Sequence, residues 1–581
     1  MLPATLIDTT ASYPQNYRQR KVRRWRHLVQ ERQSWDTHWR ELSDFIQPRR
    51  SRFLDSEEQN DGKKKHSNII NGSATWAHRT LAAGMMSGVT SPARPWFRLT
   101  TPDPELAELG RVKEWLHDVE ELLRDAFAGS NLYKCLPLVY EDLGLYGTGA
   151  MLLESDAEDR LRGYVFPVGS YCLAQSARHS VNAIFRQTAF TVGQLREPEA
   201  GFDWEQAGDR VKQLHQQGHL DEWVKVLHVI EPNADYRQGG MGYAGKRWSS
   251  CWLELEADLN REDKGELRRA GYDEFPLMAP RWKTTGEDVY GASPGMDALG
   301  DVKGLQQLEK NKGRMADKIV DPPLAGPGKL RGQNVSLVPG AITYLDDMNG
   351  AKLEPVVVVP PAAIQVAGLE ISHHEERINR AFYADLWVSL MQVERGAMTA
   401  REVAERHEEK LLQLGSVTEN LQDELLEPII DRAFGIGMRS GWFPPPPEEL
   451  AGVDLKVEFI GLLAQAQKRV RTTDVERFTG YALTLAQAKP EVLDKVDFDQ
   501  VVDEYANATG VPPSIIRTDE QVAEIRAQRA EQQAQMQAQA EAQAAAESVS
   551  KLASANLEGE NALTRAVSGL GPIAEVAASQ R

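Results

Sequence analysis

The sequence predicts a mainly helical protein with α+β parts, and three observations carry that prediction. Apolar residues recur at three- to four-residue spacing over long stretches near both ends of the 581-residue chain. Between about residues 147 and 280 the period drops towards two, in short runs bounded by Gly, Pro or Asn. From Ser293 to about residue 388, a helix, a Gly/Pro-rich β-like insert and a second helix follow one another. That order describes a hairpin with a separate unit at its tip. A chain of this length exceeds one ordinary core, so several domains or one long composite are expected.

Composition narrows the class. At 41% hydrophobic and 26% charged, the chain has ample material for buried cores. No apolar run approaches the roughly 20 residues needed to cross a bilayer, so no membrane partner is expected. The first residues place their charges after a short, weakly apolar stretch, the reverse of a secretory signal. Cys135, Cys172 and Cys251 are widely separated, which excludes a disulfide framework and a Cys-rich zinc site. The net charge is -18, yet residues 1–52 hold eleven Lys/Arg against five Asp/Glu. Tight DNA binding needs cations to neutralise phosphates. An acidic body therefore speaks against a firm grip on DNA, but not against a surface past which DNA slides.

The elements follow in order. Trp25, Leu28, Trp35, Trp39, Leu42 and Ile46 mark a first helix. Its basic cluster, Arg18 to Arg26, reads either as a nucleic-acid arm or as a solvated face or contact to an acidic neighbour. A stretch rich in small residues, with Trp76, Leu81 and Met85, is a second helix that Pro92 and Pro95 prevent from continuing. Helices are also expected over about 105–128 and 136–146, before the strand region. Ser293-Pro294 is a helix start with a capping Ser and Pro at the first helical position. That helix runs to about Val320, where Pro322-Pro323 ends it. The insert spans roughly 321–360, and the second helix begins near Pro361. Thr399 and Glu402 form a capping box at the head of a long helical segment reaching about Met438, bent or broken at Gly415 and Pro428. Helical segments are expected around 461–488, 490–507 and 515–547, the last rich in Gln and Ala.

No chemistry-bearing motif stands out. There is no P-loop, H-E-x-x-H or G-x-S-x-G sequence. In His373-His374-Glu375-Glu376, neighbours on a helix point about 100° apart and do not chelate one ion as an i, i+4 pair does. A catalytic site, a metal and a cofactor are all expected to be absent. The rival readings are a DNA-processing enzyme and a different virion scaffold protein.

Six stretches carry a resemblance. They are ATWAHRTLAAGMMSGVTSPARPWFRLTTPD at 74–103, YGTGAMLLE at 146–154, RWKTTGEDVYGASPGMDALGDVKGLQQLEK at 281–310, MTAREVAERHEEKLLQLG at 398–415, LQDELLEPIIDRAFGIGMRSGWFPPPP at 421–447 and VEFIGLLAQAQK at 457–468. Over about residues 20–510 the chain resembles the head-to-tail connecting, or portal, proteins of short-tailed bacteriophages. The resemblance implies a ring, usually of twelve subunits, at one capsid vertex of the virion, assembled in the host cytoplasm. It implies an α/β wing at 1–293, stem helices at 294–320 and 361–388, and a small β-containing clip at 321–360. A channel loop at 389–398, a long kinked wing helix at 399–455, a helical crown at 456–510 and a Gln/Ala-rich extension at 511–581 complete the layout. It also implies these partners: further copies of the chain, the terminase large subunit, tail adaptor and nozzle proteins, capsid and scaffolding proteins, and double-stranded DNA contacted without sequence specificity.

Within that layout Gln392, Glu394, Arg395 and Gly396 are candidates for the channel constriction. Lys303, Lys310, Lys312, Arg314 and Lys318 on the first stem helix are candidates for cationic rings facing phosphates, or for pairing with Glu370, Glu375 or Glu376 of a neighbouring subunit. Leu324, Lys329, Arg331 and Asn334 are candidates for docking at the clip.

Overall fold

Asn16 opens the first helix, its side chain accepting the Arg18 N–H at 3.0 Å. This helix, α1 (Tyr17–Ile46), buries Val22, Leu28, Trp39, Leu42 and Ile46 along one side. The computed structural model describes residues 16–50, 54, 68–103, 106–107, 109–261, 263–326, 354–356, 358–394, 414–450, 452–461, 463–464, 478–486, 489, 491, 495–502, 517 and 519–553. Two compact units divide the chain: Met1–Pro104 with Arg111–Gly510, and Glu105–Gly110 with Val511–Arg581.

In the first unit α1 is followed by α2 (Ser73–Gly88), β1 (Phe97–Thr100), α3 (Gly110–Gly129) and α4 (Leu132–Tyr146). Small residues let these helices approach closely. A Cβ at Gly144 of α4 would lie 2.8 Å from Leu81 of α2. Helix α4 ends at Gly147, whose φ of 77° is left-handed and suits only glycine at this crowded point against Gly291.

The chain then turns to strands, as its period predicts: β2 (Met151–Asp156), β3 (Arg160–Val165), β4 (Tyr171–Gln175) and β5 (Val181–Thr191). Two short helices, α5 (Val192–Arg196) and α6 (Asp209–Gln216), precede β6 (Trp223–Pro232), β7 (Trp248–Glu254), β8 (Glu266–Tyr272) and β9 (Leu277–Met278). Strands β4 to β8 form an antiparallel meander in sequence order, while β3, β2 and β9 form a smaller sheet. On β6, Leu227 and Val229 face a core shared with Val22 and Leu28 of α1. Val224 and Val226 face a second core with Val192, Leu195 and Val211 of α5 and α6. Alternation along one strand therefore fills both faces of the sheet.

The basic cluster on α1 divides along the same lines. Arg18 is buried and donates to the carbonyls of Asp258 at 3.0 Å and Arg261 at 3.1 Å. Lys21 and Arg24 pair with Glu231 of β6. Arg20, Arg23 and Arg26 stay exposed. Within the chain, contact with an acidic neighbour accounts for Lys21 and Arg24.

Helix α7 spans Pro294–Val320, and the Ser293 hydroxyl accepts the Met296 N–H at 3.0 Å as its cap. Strands β10 (Leu324–Ala325) and β11 (Glu354–Pro355) then pair antiparallel. Helix α8 (Pro361–Ala381) returns along α7 and is followed by α9 (Ala384–Glu394), packed on α2. Beyond residue 413 come α10 (Gly415–Leu421), a π turn (Gln422–Leu426) and α11 (Glu427–Ser440). Strand β12 (Lys456–Phe459) closes the first unit by pairing with β1. In the second unit, α12 (Asp519–Ala553) exposes the side chains described along it except those of Val522 and Ile525, which are half-buried.

The structure corrects the expected layout in several places. In the helix expected from about residue 105, residues 106–107 are helical, but residue 109 is a bend and the continuous helix runs from Gly110. The second hairpin helix is not continuous over 361–388. It stops at Ala381 and restarts at Ala384, through Tyr383 at a left-handed φ of 52°. Residues 389–394, expected in a loop, are helical because Trp387 is buried against Gly84 of α2 and anchors α9. Pro428 does not break its helix. It sits in the first turn of α11, directly after the π turn, where a missing N–H is tolerated. The capping box at Thr399 and Glu402 and most of the helices expected over 461–507 lie outside the described residues, although 478–486 is helical.

Candidate functional site: the α7–α8 hairpin

The root of the hairpin is held by polar side chains that the sequence does not advertise. Gln306 of α7 is buried, and its side-chain oxygen accepts the N–H groups of Ile70 at 2.7 Å and Asn71 at 2.9 Å. Its amide donates back to Asn71 O at 2.8 Å. One Glu375 oxygen accepts from Asn71 at 3.0 Å and from the Ser73 hydroxyl at 2.8 Å, tying α8 to the start of α2. Across the seam, Asp301 accepts from Arg377 at 2.7 Å and lies 2.9 Å from His374 Nδ1. Gly304 makes room for that imidazole, since a Cβ there would sit 2.8 Å from His374 Cε1. The His373–Glu376 run therefore serves helix packing and anchoring. Among the described residues, no group of three or more His, Cys, Asp or Glu is placed to hold a metal ion.

Past Gln306 the hairpin loses its core. Ile319 is 44% exposed and Val320 86%, and on α8 Val366 is 59% and Leu369 62% exposed. Ala367, Ile371 and Ile378 are buried on the other side of α8. At about 100° per residue, Val366 and Leu369 point well away from that seam. The far half of the hairpin thus carries exposed apolar side chains that no described residue of the chain covers.

The expected cations do not share one face. At about 100° per residue, Lys303, Lys310 and Arg314 fall within about 40° of each other, Lys318 lies about 60° round from Lys303, and Lys312 points opposite. Lys303 pairs with Glu41 of α1 and lies 5.9 Å from the Phe45 ring. Lys312 is 4.0 Å from Glu309 on its own helix. Lys310, Arg314 and Lys318 are exposed. Of the acids expected to pair with them, Glu375 is held at the root and Glu376 pairs with Arg380 at 3.1 Å. Of the five, Lys310, Arg314 and Lys318 are the exposed ones. That Lys312 points away from the others follows from helix spacing alone, whereas the Lys303–Glu41 pair joins residues too far apart in sequence to be read.

Beyond the Tyr383 break, Gln392 is exposed on the last turn of α9, and the backbone of Glu394 ends that helix. Arg395 and Gly396 lie outside the described residues. At the tip, Leu324 lies on β10 and is 38% exposed, while Lys329, Arg331 and Asn334 lie outside the described residues.

A second anchor was also hidden from sequence. Buried Arg281 donates to Glu424 of the π turn, through Nε at 3.0 Å, and to His179 O at 2.8 Å. The extra residue of a π turn rotates the side chains after it. Glu424 itself lies within the turn, half-buried beside Arg281.

With this geometry in place, comparison with known proteins is decisive for family. The profile described as "Bacteriophage head to tail connecting protein" matches residues 18–516. The chain belongs to that family. It is 42% identical to the portal protein of Salmonella phage epsilon15, over 88% of this chain and 91% of the relative. It is 41% identical to the probable portal protein of Bordetella phage BPP-1, over 96% of this chain and 99% of the relative. Among solved structures, a chain from the virion of a native gene transfer agent particle aligns with a TM-score of 0.32 and 12% identity. That alignment covers 76% of this chain and 91% of the other. Head-to-tail connecting proteins have a structural role in the bacteriophage virion. Among the described residues of this member, no helix is long and apolar enough to cross a membrane.

Proposed function

We propose that this connecting protein is one subunit of a ring, of about twelve copies, whose centre is the channel for double-stranded DNA during packaging, retention and ejection. The observation that carries the reading is the unburied apolar surface on the far half of the hairpin, at Ile319, Val320, Val366 and Leu369. Apolar area removed from water is worth roughly 25 cal/mol per Å². Hairpins set side by side around an axis bury that surface without any change of fold. A ring also suits the charge of -18, because a hydrated, acidic passage holds a polyanion only weakly.

On this reading α7 and α8 form the stem, and Lys310, Arg314 and Lys318 are its remaining phosphate-facing candidates. The segment from Gln392 through Glu394, Arg395 and Gly396 narrows the channel. The tip beyond Leu324, with Lys329, Arg331 and Asn334, docks the packaging ATPase and later the tail proteins. The protein works as a structural conduit rather than as an enzyme. It joins the capsid vertex after assembly in the host cytoplasm.

Negative-stain imaging of the purified full chain tests the ring. Annular particles with an open centre are expected, and particles without one overturn the reading. Deleting residues 392–396 is expected to leave rings and proheads intact while lowering DNA retention. Normal genome retention in that deletion removes the segment from the mechanism.

A further inference from the structure

The β4–β8 sheet exposes apolar side chains at both ends, and each end is held in an ordered turn. At one end, residues 233–247 join β6 to β7. The Asn233 amide donates to the carbonyls of Tyr243 at 3.0 Å and Lys246 at 2.9 Å. Arg237 N–H donates to Ala244 O at 2.7 Å, and Gly240 N–H to Arg237 O at 2.9 Å. Gly239 and Gly242 supply φ values of 76° and 60° that let the loop close on itself. This built loop nevertheless holds Met241 93% exposed and Tyr236 38% exposed. Arg237 and Arg247 flank them, both exposed. Among the described residues neither guanidinium has a hydrogen-bond or ion-pair partner.

The other end of β6 is about 30 Å away, at roughly 3.3 Å per residue. There the α6–β6 turn exposes Leu220 (44%) and Trp223 (46%). It too is fixed: Gly193 N–H donates to Leu220 O at 2.9 Å and Val192 N–H to Glu222 O at 3.0 Å. The flanking charges are now Asp221 and Glu222, exposed and, among the described residues, without side-chain partners.

We propose that these two ends meet between copies of the chain. Met241 of one copy seats against Leu220 and Trp223 of the next, and Arg237 and Arg247 face Asp221 and Glu222. The inference rests on the ring reading and adds to the hairpin a second contact surface between neighbours. A ring is closed by a head-to-tail contact, in which two different patches of each subunit are complementary. A basic apolar knob and an acidic apolar patch at opposite ends of one rigid sheet meet that requirement. A two-fold pairing would set knob against knob and arginine against arginine.

The test uses the full chain, whose Cys135, Cys172 and Cys251 are all buried. In a Met241→Cys, Leu220→Cys double variant, mild oxidation is expected to give a ladder of covalent multimers on a denaturing gel. Each single variant is expected to give none. A dimer from Met241→Cys alone shows a two-fold contact and overturns the proposal. Charge reversal supplies an independent readout. Asp221→Arg with Glu222→Arg is expected to raise, by two-fold or more, the chain concentration needed to form rings at low salt, where repulsion is least screened. Adding Arg237→Glu and Arg247→Glu to the same chain is expected to restore it, because the swapped charges again face each other. Wild-type rings with neither ladder nor shift in assembly concentration overturn this contact and leave the ring reading standing. A wild-type chain that forms no ring overturns both.

Discussion

Glu120 on α3 is a buried carboxyl whose protonation couples pH to the fold. Its carboxylate accepts the Leu99 N–H at 2.7 Å, and burial pushes its pKa up from 4.5 to about 7 despite that bond and nearby Arg98 and Arg124. A raised pKa means that the folded chain holds a proton the unfolded chain has released. The associated stability is therefore present below about pH 4.5 and is lost as pH rises through 7. Glu120→Gln keeps an acceptor for Leu99 and removes the ionisation. Thermal melts from pH 5 to 8 should show a smaller decline for Glu120→Gln than for the parent, and parallel declines would contradict the assignment. Asp431, also raised by burial, to about 6, contributes in the same direction and stays as background in both chains. None of this was legible in sequence, where Glu120 is one carboxylate of many. The same limit hid Gln306, Asp301 and Glu424, whose partners lie 73 to 236 residues away.

At the scale of elements, what could be read depended on whether the cause was local. Helix α7 was legible at both ends because Ser293-Pro294 starts it and Pro322-Pro323 stops it. The strand region was legible because alternation survives in short segments such as β5 and β6. The joint between α8 and α9 was not, since Phe382, Tyr383 and Ala384 include neither Gly nor Pro. There the buried Phe382 and Trp387 hold Tyr383 in a conformation that its own side chain disfavours. The π turn was likewise invisible, because the partner that its Glu424 meets, Arg281, lies 143 residues away. Glu424→Ala tests that pairing. Removing one partner of a buried ion pair costs about 3–5 kcal/mol, so the variant should lose stability on that scale in chemical denaturation. A change under about 1 kcal/mol, the range of exposed pairs, would show that the Arg281–Glu424 pair is not an anchor of this segment.

At the scale of the whole molecule, the fold leaves surfaces that one chain does not complete. The hairpin is anchored at its root by Gln306 and Glu375 and exposes Val366 and Leu369 beyond it. The sequence conveyed the hairpin and its order in the chain. It did not convey which side of each helix stays open, because the buried and exposed sides of α8 are both apolar. Native mass spectrometry of the full chain beside a Val366→Glu, Leu369→Glu double variant tests the ring most directly. The parent is expected at about twelve times its 64.8 kDa chain mass, and the variant as a folded monomer or small oligomer. A monomeric parent, or a variant with an unchanged ring mass, would contradict the account.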